Sequence, residues 1–331
     1  MAAHYAAPRP VGAAVSAASG GRRWHAETVT TTFRAGFASL VGRPNAGKST
    51  LTNALVGTKV AITSSRPQTT RHAVRGILTR PDAQLVLVDT PGLHRPRTLL
   101  GERLNDVVRT AWSAVDAIGL CVAADAEVGP GDRYIAAELA AIGSRTPVLA
   151  VLTKTDLAAR EQVAAQLLAV QRMGEQVGLR LAEIVPVSAV TGDQLDLLAD
   201  LLVARLPAGS PLYPDGELTD EPEEVLVAEL VREAALQGVR DELPHSLAVT
   251  VEEMRRDERR DLVVVHATVH VERRSQKPIV LGTGGARLKA VGVAARRQIE
   301  ALLGSRVYLD LHVSVLPDWQ RDPRQLRRLG F

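Results

Sequence analysis

The 331-residue chain contains a single cysteine, few aromatic residues and no long hydrophobic run. One thiol, Cys121, cannot form an intrachain disulfide, so a disulfide-stabilised scaffold is excluded and a reducing, cytosolic setting is favoured. Aromatic residues make up 3% of the chain, which leaves few side chains for stacking against bases. No apolar stretch reaches the roughly 18 residues that a membrane-spanning helix needs. The remaining composition, 46% hydrophobic and 23% charged, is that of a globular protein with a substantial core.

Charge is distributed unevenly along the chain, although the net charge is only +3. Residues 41–254 contain 20 Lys and Arg against 28 Asp and Glu, whereas residues 255–331 contain 16 against 8. This asymmetry indicates that the C-terminal part is the one that meets a polyanion. A solvated basic face explains the same charge, so motifs must decide between the two interpretations.

Length and pattern predict two domains, since a single core seldom grows beyond about 250 to 300 residues. Residues 1–35 are rich in Ala, Gly, Ser and Thr and are predicted to be a disordered extension; a transit peptide and a misassigned start are alternatives. Strands alternating with helices over residues 36–206 predict an α/β domain with a doubly wound, mostly parallel sheet. Pro, Gly and Asp mark residues 207–222 as a linker. Residues 223–331 predict a smaller α+β domain of order α-β-β-α-α-β.

The segment GRPNAGKS at 42–49 follows a predicted strand, opens a predicted helix and fits the phosphate-binding pattern G-x-x-x-x-G-K-[S/T]. Its glycines allow backbone N–H groups to converge on phosphates, and the helix N-terminus adds partial positive charge. Lys48 is expected to reach the β- and γ-phosphates, and the Ser49 hydroxyl to bind Mg²⁺. The residues predicted to contact the nucleotide here are Gly42, Arg43, Pro44, Asn45, Ala46, Gly47, Lys48, Ser49 and Thr50.

A second motif, DTPG at 89–92, follows the apolar run LVLV. Asp89 at the end of a central strand is well placed to hold the Mg²⁺ shell, and Gly92 is placed to offer its N–H group to the γ-phosphate. On its own DTPG is a common turn; its distance downstream of the phosphate-binding loop favours the functional interpretation.

Two further segments predict recognition of guanine. TKTD at 153–156 supplies Thr153, Lys154 and Asp156, and the Asp156 carboxylate is able to accept hydrogen bonds from N1–H and the N2 amino group of guanine. Adenine lacks that donor pair and would leave the carboxylate unpaired, which is how such a site discriminates. Ser188 and Ala189 follow another predicted strand and could direct a backbone N–H group at guanine O6.

The four boxes together resemble the GTPase superfamily, and SSRPQTTRH at 64–72 is similar to the first switch of the bacterial Era GTPases. This resemblance implies GTP and GDP as ligands and a Mg²⁺ site formed by Ser49, Asp89 and Thr70, with Thr70 chosen over Thr69. It also implies that Lys48, Asn45 and Thr70 take part in hydrolysis.

Residues 271–331 resemble the C-terminal, type II KH domain of the same family, so the expected architecture is a P-loop GTPase domain followed by a KH domain. GTGG at 282–285 matches the G-x-x-G loop that clamps a nucleic-acid backbone, and glycines allow that close approach. Basic side chains, including Arg296 and Arg297, would release counterions from the RNA. The predicted RNA contacts are Lys277, Gly282, Thr283, Gly284, Gly285, Arg287 and Lys289.

Three positions depart from patterns common in these proteins. Thr283 replaces a Lys of the G-x-x-G loop, which removes one phosphate contact. Thr153 stands where an Asn is usual, and we expect that it cannot replace the amide that bridges guanine N7 and the phosphate-binding loop. Leu93 occupies the position at which many GTPases carry a water-orienting Gln, so intrinsic turnover should be slow. Asn45 either holds a K⁺ ion that neutralises the transition state or only stabilises the loop.

The resemblance implies a molecular switch that hydrolyses GTP, binds 16S rRNA and assists assembly of the 30S ribosomal subunit. It further implies a monomeric, cytoplasmic protein with peripheral association at the inner face of the cell membrane. One alternative is a GTPase of membrane or cell-cycle signalling that binds no RNA. Another is a structural RNA-binding module with a relict nucleotide pocket.

Overall fold

The computed structural model describes residues 32–63, 70–71, 73–93, 99–141, 146–237 and 246–329. The extension predicted for residues 1–35 lies outside the described residues up to Thr31, and most of the segment 64–72 lies outside them as well. The first strand begins at Arg34, inside the segment expected to be irregular. Within the described ranges, no helix is both long and apolar enough to cross a bilayer.

The N-terminal domain is built on a six-stranded sheet in the order β2-β3-β1-β4-β5-β6. All neighbouring strands are parallel except β2 and β3, so the prediction of a doubly wound, mostly parallel sheet is confirmed. The strands are β1 Arg34–Gly42, β2 Val74–Arg80, β3 Ala83–Asp89, β4 Ala117–Ala123, β5 Val148–Thr153 and β6 Leu181–Pro186. The helices are α1 Lys48–Val56, α2 Leu99–Ser113, α3 Pro130–Ala141, α4 Arg160–Val177 and α5 Leu195–Val203.

The central strands of this sheet are mostly apolar along their length, which matches their burial. Strands β3, β4 and β5 are buried along their whole length, because helices cover both faces of a doubly wound sheet. Parallel strands end at the same edge, so Asp89 and Gly42 terminate the neighbouring strands β3 and β1 there, and Thr153 terminates β5 at the same edge, with β4 between. This edge is where ligands bind in open α/β sheets.

The C-terminal domain has the predicted α-β-β-α-α-β order and ends with a short additional helix. Its sheet runs β7-β8-β9, with β7 antiparallel and β9 parallel to β8. Its core includes Val231, Val265, Ala295 and Ile299, all fully or almost fully buried. The elements are α6 Glu223–Leu236, β7 Ala248–Asp257, β8 Leu262–Val271, α7 Lys277–Leu281, α8 Ala286–Leu303, β9 Val307–Val315 and α9 Pro323–Arg328.

The predicted linker, residues 207–222, packs along the outer edge of the first sheet. The Ile77 N–H group on strand β2 donates to the Leu218 carbonyl at 2.9 Å. The side-chain oxygen of Gln84 accepts from the amide of Leu212 at 2.6 Å, and Arg75 pairs with Asp220 at 2.6 Å. The linker therefore covers an edge strand that would otherwise present unpaired backbone groups.

Candidate functional site

The phosphate-binding loop joins strand β1 to helix α1 and encloses a lysine. Gly47 and Asn45 adopt left-handed backbone angles, φ +84° and +63°, which lets the loop turn back on itself. The buried Lys48 ammonium donates to the carbonyls of Gly42 and Arg43 at 3.2 and 3.0 Å. Burial lowers the pKa of Lys48, and the nearby Asp89 carboxylate opposes that shift. The loop thus holds a cation in its interior, at the first residue of α1.

The three residues predicted to bind Mg²⁺ lie together beside this lysine. The Ser49 hydroxyl is 2.6 Å from an Asp89 carboxylate oxygen and 2.9 Å from the Thr70 hydroxyl, and Thr70 is 3.2 Å from Asp89. Oxygen ligands at 2.0–2.1 Å in an octahedron lie about 2.9 Å from one another. The spacing and the hard oxygen donors therefore fit Mg²⁺. Two of these three predicted metal ligands are hydroxyls. In the described part of the chain, no group of three His, Cys, Asp or Glu side chains is suited to hold a metal ion.

DTPG passes directly against the phosphate-binding loop. A Cβ atom added to Gly92 would lie 2.8 Å from the backbone nitrogen of Pro44, so glycine is required for this approach. Leu93 is buried in the apolar core and offers no polar group to a nucleotide. The side chain of Arg43 is directed to Asp132 on α3, with which it pairs at 2.8 Å, so that side chain is held by the protein itself.

Thr153 makes one of the two contacts expected of an asparagine at this position, the contact to the phosphate-binding loop. This corrects our expectation that a threonine cannot replace that bridge. Its hydroxyl donates to the carbonyl of Ala46 at 2.7 Å and lies 3.3 Å from the carbonyl of Val122. The guanine box is therefore tied to the phosphate-binding loop by a hydroxyl instead of an amide. A Cβ atom added to Gly47 would lie 3.5 Å from Cβ and from Oγ1 of Thr153, so the loop passes close to this side chain.

Asp156 is exposed at the end of β5 and is oriented by a residue whose side chain the sequence analysis overlooked. The buried Ser188 hydroxyl donates to an Asp156 carboxylate oxygen at 2.6 Å and accepts from the Thr191 amide at 3.1 Å. Lys154 has a left-handed backbone, φ +59°, and its ammonium pairs with Asp125 at 3.0 Å. Ala189 follows Ser188 and is half-buried. The position of Ser188 after strand β6 was visible in the sequence, but its pairing with Asp156 was not.

In the C-terminal domain, GTGG forms an open turn before helix α8. Gly282, Gly284 and Gly285 all have positive φ, at +71°, +58° and +80°. A Cβ atom on Gly282 would lie 2.7 Å from Cβ of Arg287, whereas no described atom lies within 4 Å of one added to Gly284 or Gly285. The exposed Thr283 completes the turn. The loop therefore presents backbone to solvent at the N-terminus of an 18-residue helix.

Basic side chains surround this turn unequally. Lys289 is exposed and Lys277 is half-buried. Arg287 donates to the Gln237 carbonyl at 2.9 Å, so part of its donor capacity is used within the protein. A groove of about 340 Å³ continues from the turn between α8 and β9, and it is lined by Gly285, Leu288, Lys289, Gly292, Val293, Arg296, Tyr308, Leu309 and Leu311. An apolar floor with a basic rim suits a single-stranded nucleic acid.

Arg71, which follows Thr70 directly, is a second residue that sequence reasoning missed. It is 2% exposed and reaches from the N-terminal domain into the C-terminal one. Burial lowers its pKa to about 9, and Arg232 adds to the shift while Glu229 opposes it. The guanidinium therefore remains charged at neutral pH.

Comparisons with known proteins match both domains. A family model for a 50S ribosome-binding GTPase matches residues 37–154, and a KH-domain model matches residues 242–320. GTPase Era of Streptomyces coelicolor is 66% identical over 309 residues, covering 92% of this chain and 97% of that protein. GTPase Era of Mycolicibacterium smegmatis is 63% identical, covering 91% of this chain and all of that protein.

Two solved structures resemble the whole described architecture. One is Era in complex with MgGDPNP and nucleotides 1506–1542 of 16S ribosomal RNA, with a TM-score of 0.85. The other is a variant of Aquifex aeolicus Era bound to GDP and AlF₄⁻, with a TM-score of 0.84. Each is 36% identical in sequence and covers 90% of this chain and 99% of the other.

Proposed function

This chain belongs to the Era family of GTPases, and on that premise we propose that it is a GTP-controlled switch that binds 16S rRNA and assists assembly of the 30S ribosomal subunit. The observation that carries the proposal is the convergence of the Ser49, Thr70 and Asp89 oxygens beside Lys48. The two hydroxyls hydrogen-bond to each other and to the buried Asp89 carboxylate, which holds the three oxygens close enough together to share one Mg²⁺ ion.

The nucleotide site uses groups that act on phosphate and on the base separately. Lys48 and the backbone N–H groups at the start of α1 bind the β- and γ-phosphates, and Gly92 offers its N–H to the γ-phosphate. Mg²⁺, held by Ser49, Thr70 and Asp89, supplies charge neutralisation on the phosphate oxygens. Asp156, held by Ser188, accepts from guanine. Leu93 supplies no hydrogen bond to the attacking water, so intrinsic turnover is slow.

The C-terminal domain binds RNA through the GTGG turn and the groove beside α8. Exposed glycine backbone contacts the phosphates, and Lys277, Lys289 and the free donors of Arg287 add charge. The related Era protein was solved with nucleotides 1506–1542 of 16S rRNA, so the matching segment is the RNA we assign to this chain. The protein acts as a monomer in the cytoplasm, with peripheral association at the inner membrane face.

The test combines RNA binding with turnover on the full chain. A 3′-terminal 16S rRNA fragment is titrated with protein in a non-hydrolysable GTP analogue and in GDP, and GTP hydrolysis is measured separately. We expect tighter RNA binding with the analogue and measurable Mg²⁺-dependent hydrolysis. Turnover without RNA binding would instead indicate a signalling GTPase, and RNA binding without turnover would indicate a module with a relict pocket.

A further inference from the structure

The residue after the predicted metal ligand Thr70 is anchored in the other domain. The Arg71 guanidinium donates through Nη1 to the carbonyl of Leu247 at 2.5 Å. Its central carbon lies 5.5 Å from the centre of the Trp319 ring, within the range of a cation–π contact. Because Arg71 is adjacent to Thr70 in the chain, this contact restrains the backbone that presents the Thr70 hydroxyl to Ser49 and Asp89.

Trp319 belongs to residues 316–329, which we call the C-terminal tail. Its indole N–H donates to the Ser246 carbonyl at 3.2 Å, and its side chain is fully buried. It packs with Leu326 of the tail and with Leu100 and Leu104 of helix α2. The Leu100 amide also donates to the Gln320 carbonyl at 3.2 Å. Helix α2 is the element that follows DTPG, so the tail contacts the chain downstream of both Thr70 and Gly92.

A second anchor lies on the other side of Thr70 in the sequence. Glu233 on α6 accepts from the Thr63 amide at 2.8 Å and from the Thr63 hydroxyl at 3.2 Å. The same carboxylate pairs with Lys59 at 2.5 Å, and Lys59 also donates to Gln298 on α8 at 2.6 Å. Thr63 and Arg71, described residues on either side of Thr70 in the chain, are therefore both bonded to the C-terminal domain.

Because the C-terminal domain already holds Thr63 and Arg71, Thr70 loses less conformational entropy when it is placed beside Ser49 and Asp89. Groups held in a productive geometry before the reaction contribute directly to its rate. A side chain that acts in this way stabilises the GTP-bound state, in which Thr70 binds the metal, more than it stabilises the GDP-bound state.

We propose that Arg71 is a positioning residue for GTP hydrolysis, which holds Thr70 in place by docking on Trp319, so that the C-terminal tail is an intramolecular activator of the nucleotide site. This inference rests on the proposed function, because it requires that Thr70 completes the Mg²⁺ shell in the GTP state. Linkage makes the coupling reciprocal: binding of GTP and Mg²⁺ must stabilise the docked tail as much as the docked tail favours GTP.

The test compares the full-length parent with Arg71→Ala, Trp319→Ala and the double variant. We expect affinity for a non-hydrolysable GTP analogue and single-turnover hydrolysis to fall roughly tenfold in each single variant, the scale of a lost charged hydrogen bond or cation–π contact. Affinity for GDP should change less than about twofold, and the loss in the double variant should be smaller than the sum of the two single losses, since both changes remove the Arg71–Trp319 contact. More Mg²⁺ should be needed for half-maximal turnover.

Hydrogen exchange provides a readout of the reciprocal effect that does not depend on activity. Amides of α9 should be better protected with the GTP analogue than with GDP in the parent, and equally protected in Arg71→Ala. Arg80→Ala is the matched control, because Arg80 forms a surface pair with Asp200 in the same domain. It should leave all of these quantities unchanged.

Two outcomes would overturn the inference. One is normal GTP-analogue affinity and hydrolysis in the single variants; the other is an equal loss of GDP and GTP-analogue affinity, which indicates a structural role only. If an alanine variant does not fold, Trp319→Phe and Arg71→Lys decide the matter: each keeps part of the contact and should lower affinity for the GTP analogue relative to the parent while leaving GDP affinity unchanged, and an equal loss of both would overturn the inference. A parent protein without GTP turnover would refute the proposed function instead, so the two failures are distinguishable.

Discussion

The phosphate-binding loop at 42–49 and the GTGG turn at 282–285 use the same local device in opposite surroundings. Each is a turn with left-handed glycines that leads into the N-terminus of a helix, where backbone N–H groups attract phosphate. The first loop encloses Lys48 and is closed over by Gly92, whereas added Cβ atoms at Gly284 and Gly285 would meet no described atom. Enclosure suits a compact triphosphate, whose charge an enclosed cation can neutralise. An open turn suits a polymer that passes across it.

The largest expected effect comes from removing the enclosed cation. Lys48→Ala should lower GTP turnover by roughly 10²–10³-fold, the loss typical of removing one preorganised group that stabilises developing charge. Lys289→Ala is the matched change beside the open turn and should leave turnover intact. It should weaken RNA binding only a few-fold and reduce the salt slope of the binding constant by about 0.7. If Lys289→Ala weakened RNA binding by as large a factor as Lys48→Ala lowers GTP turnover, the difference between the enclosed loop and the open turn would be refuted.

The open turn should be disrupted most strongly by negative charge. The double change Gly284→Asp and Gly285→Asp places two carboxylates against the RNA backbone and replaces glycine at positive φ. RNA affinity should fall roughly a hundredfold, at least 1 kcal/mol per strained or repelled position. GTP hydrolysis without RNA should be unchanged. Electrophoretic mobility shifts and phosphate release measure the two quantities, and unaltered RNA binding would exclude the turn as the RNA site.

Base recognition is a second difference between the two sites, because only the nucleotide site should bind a base through a carboxylate held in place, that of Asp156. Asp156→Asn should weaken GTP binding roughly 10- to 100-fold, the cost of losing hydrogen bonds to a charged acceptor. Xanthosine triphosphate should bind better, since its C2 oxygen accepts from the new amide. Competition between the two nucleotides measures the shift. Parent-like GTP affinity in this variant would show that the guanine site lies elsewhere.

Potassium offers a subtler test of enclosure. If Asn45 holds K⁺ against the phosphates, turnover should be several-fold faster in K⁺ than in matched Na⁺ buffer, through electrostatic stabilisation of the transition state. The difference should vanish in Asn45→Ala. Identical rates in both salts for both proteins would leave Asn45 with the role of stabilising the left-handed turn that it occupies, at φ +63°.

The smallest expected effect concerns Thr153. Thr153→Val removes the hydroxyl that bonds to Ala46 and should weaken GTP binding by about 1 kcal/mol, roughly fivefold. Thr153→Asn should tighten binding by about twofold at most, because the bridge to the loop already exists and only a contact to guanine N7 is gained. Isothermal titration with GDP measures both. A large gain for the asparagine would show that the threonine bridge contributes little.

The sequence alone identified the family resemblance, which the curated relatives and the solved structures confirm. It also predicted the mixed sheet and the α-β-β-α-α-β order, which the structure confirms. These features are local: strand and helix periodicity, and glycine turns that a few neighbouring residues specify. The motifs also placed Ser49 and Asp89 together, since parallel strands end at one edge, whereas Thr70 was placed beside them only by the family resemblance.

Tertiary structure alone decided the contacts between distant residues. The sequence led us to expect that Thr153 cannot replace the amide that bridges guanine N7 and the phosphate-binding loop, but packing brings its hydroxyl to the carbonyl of Ala46, 107 positions away. Arg71 meets Leu247, 176 positions away, and the linker lies on strand β2 instead of spanning solvent. A single sequence does not mark such pairs, because it contains many arginines and threonines and nothing in it distinguishes the one that makes a given distant contact. Which of them meet depends on how the whole chain packs, within the N-terminal domain for Thr153 and between the two domains for Arg71, and that packing brings together elements that are far apart in the sequence.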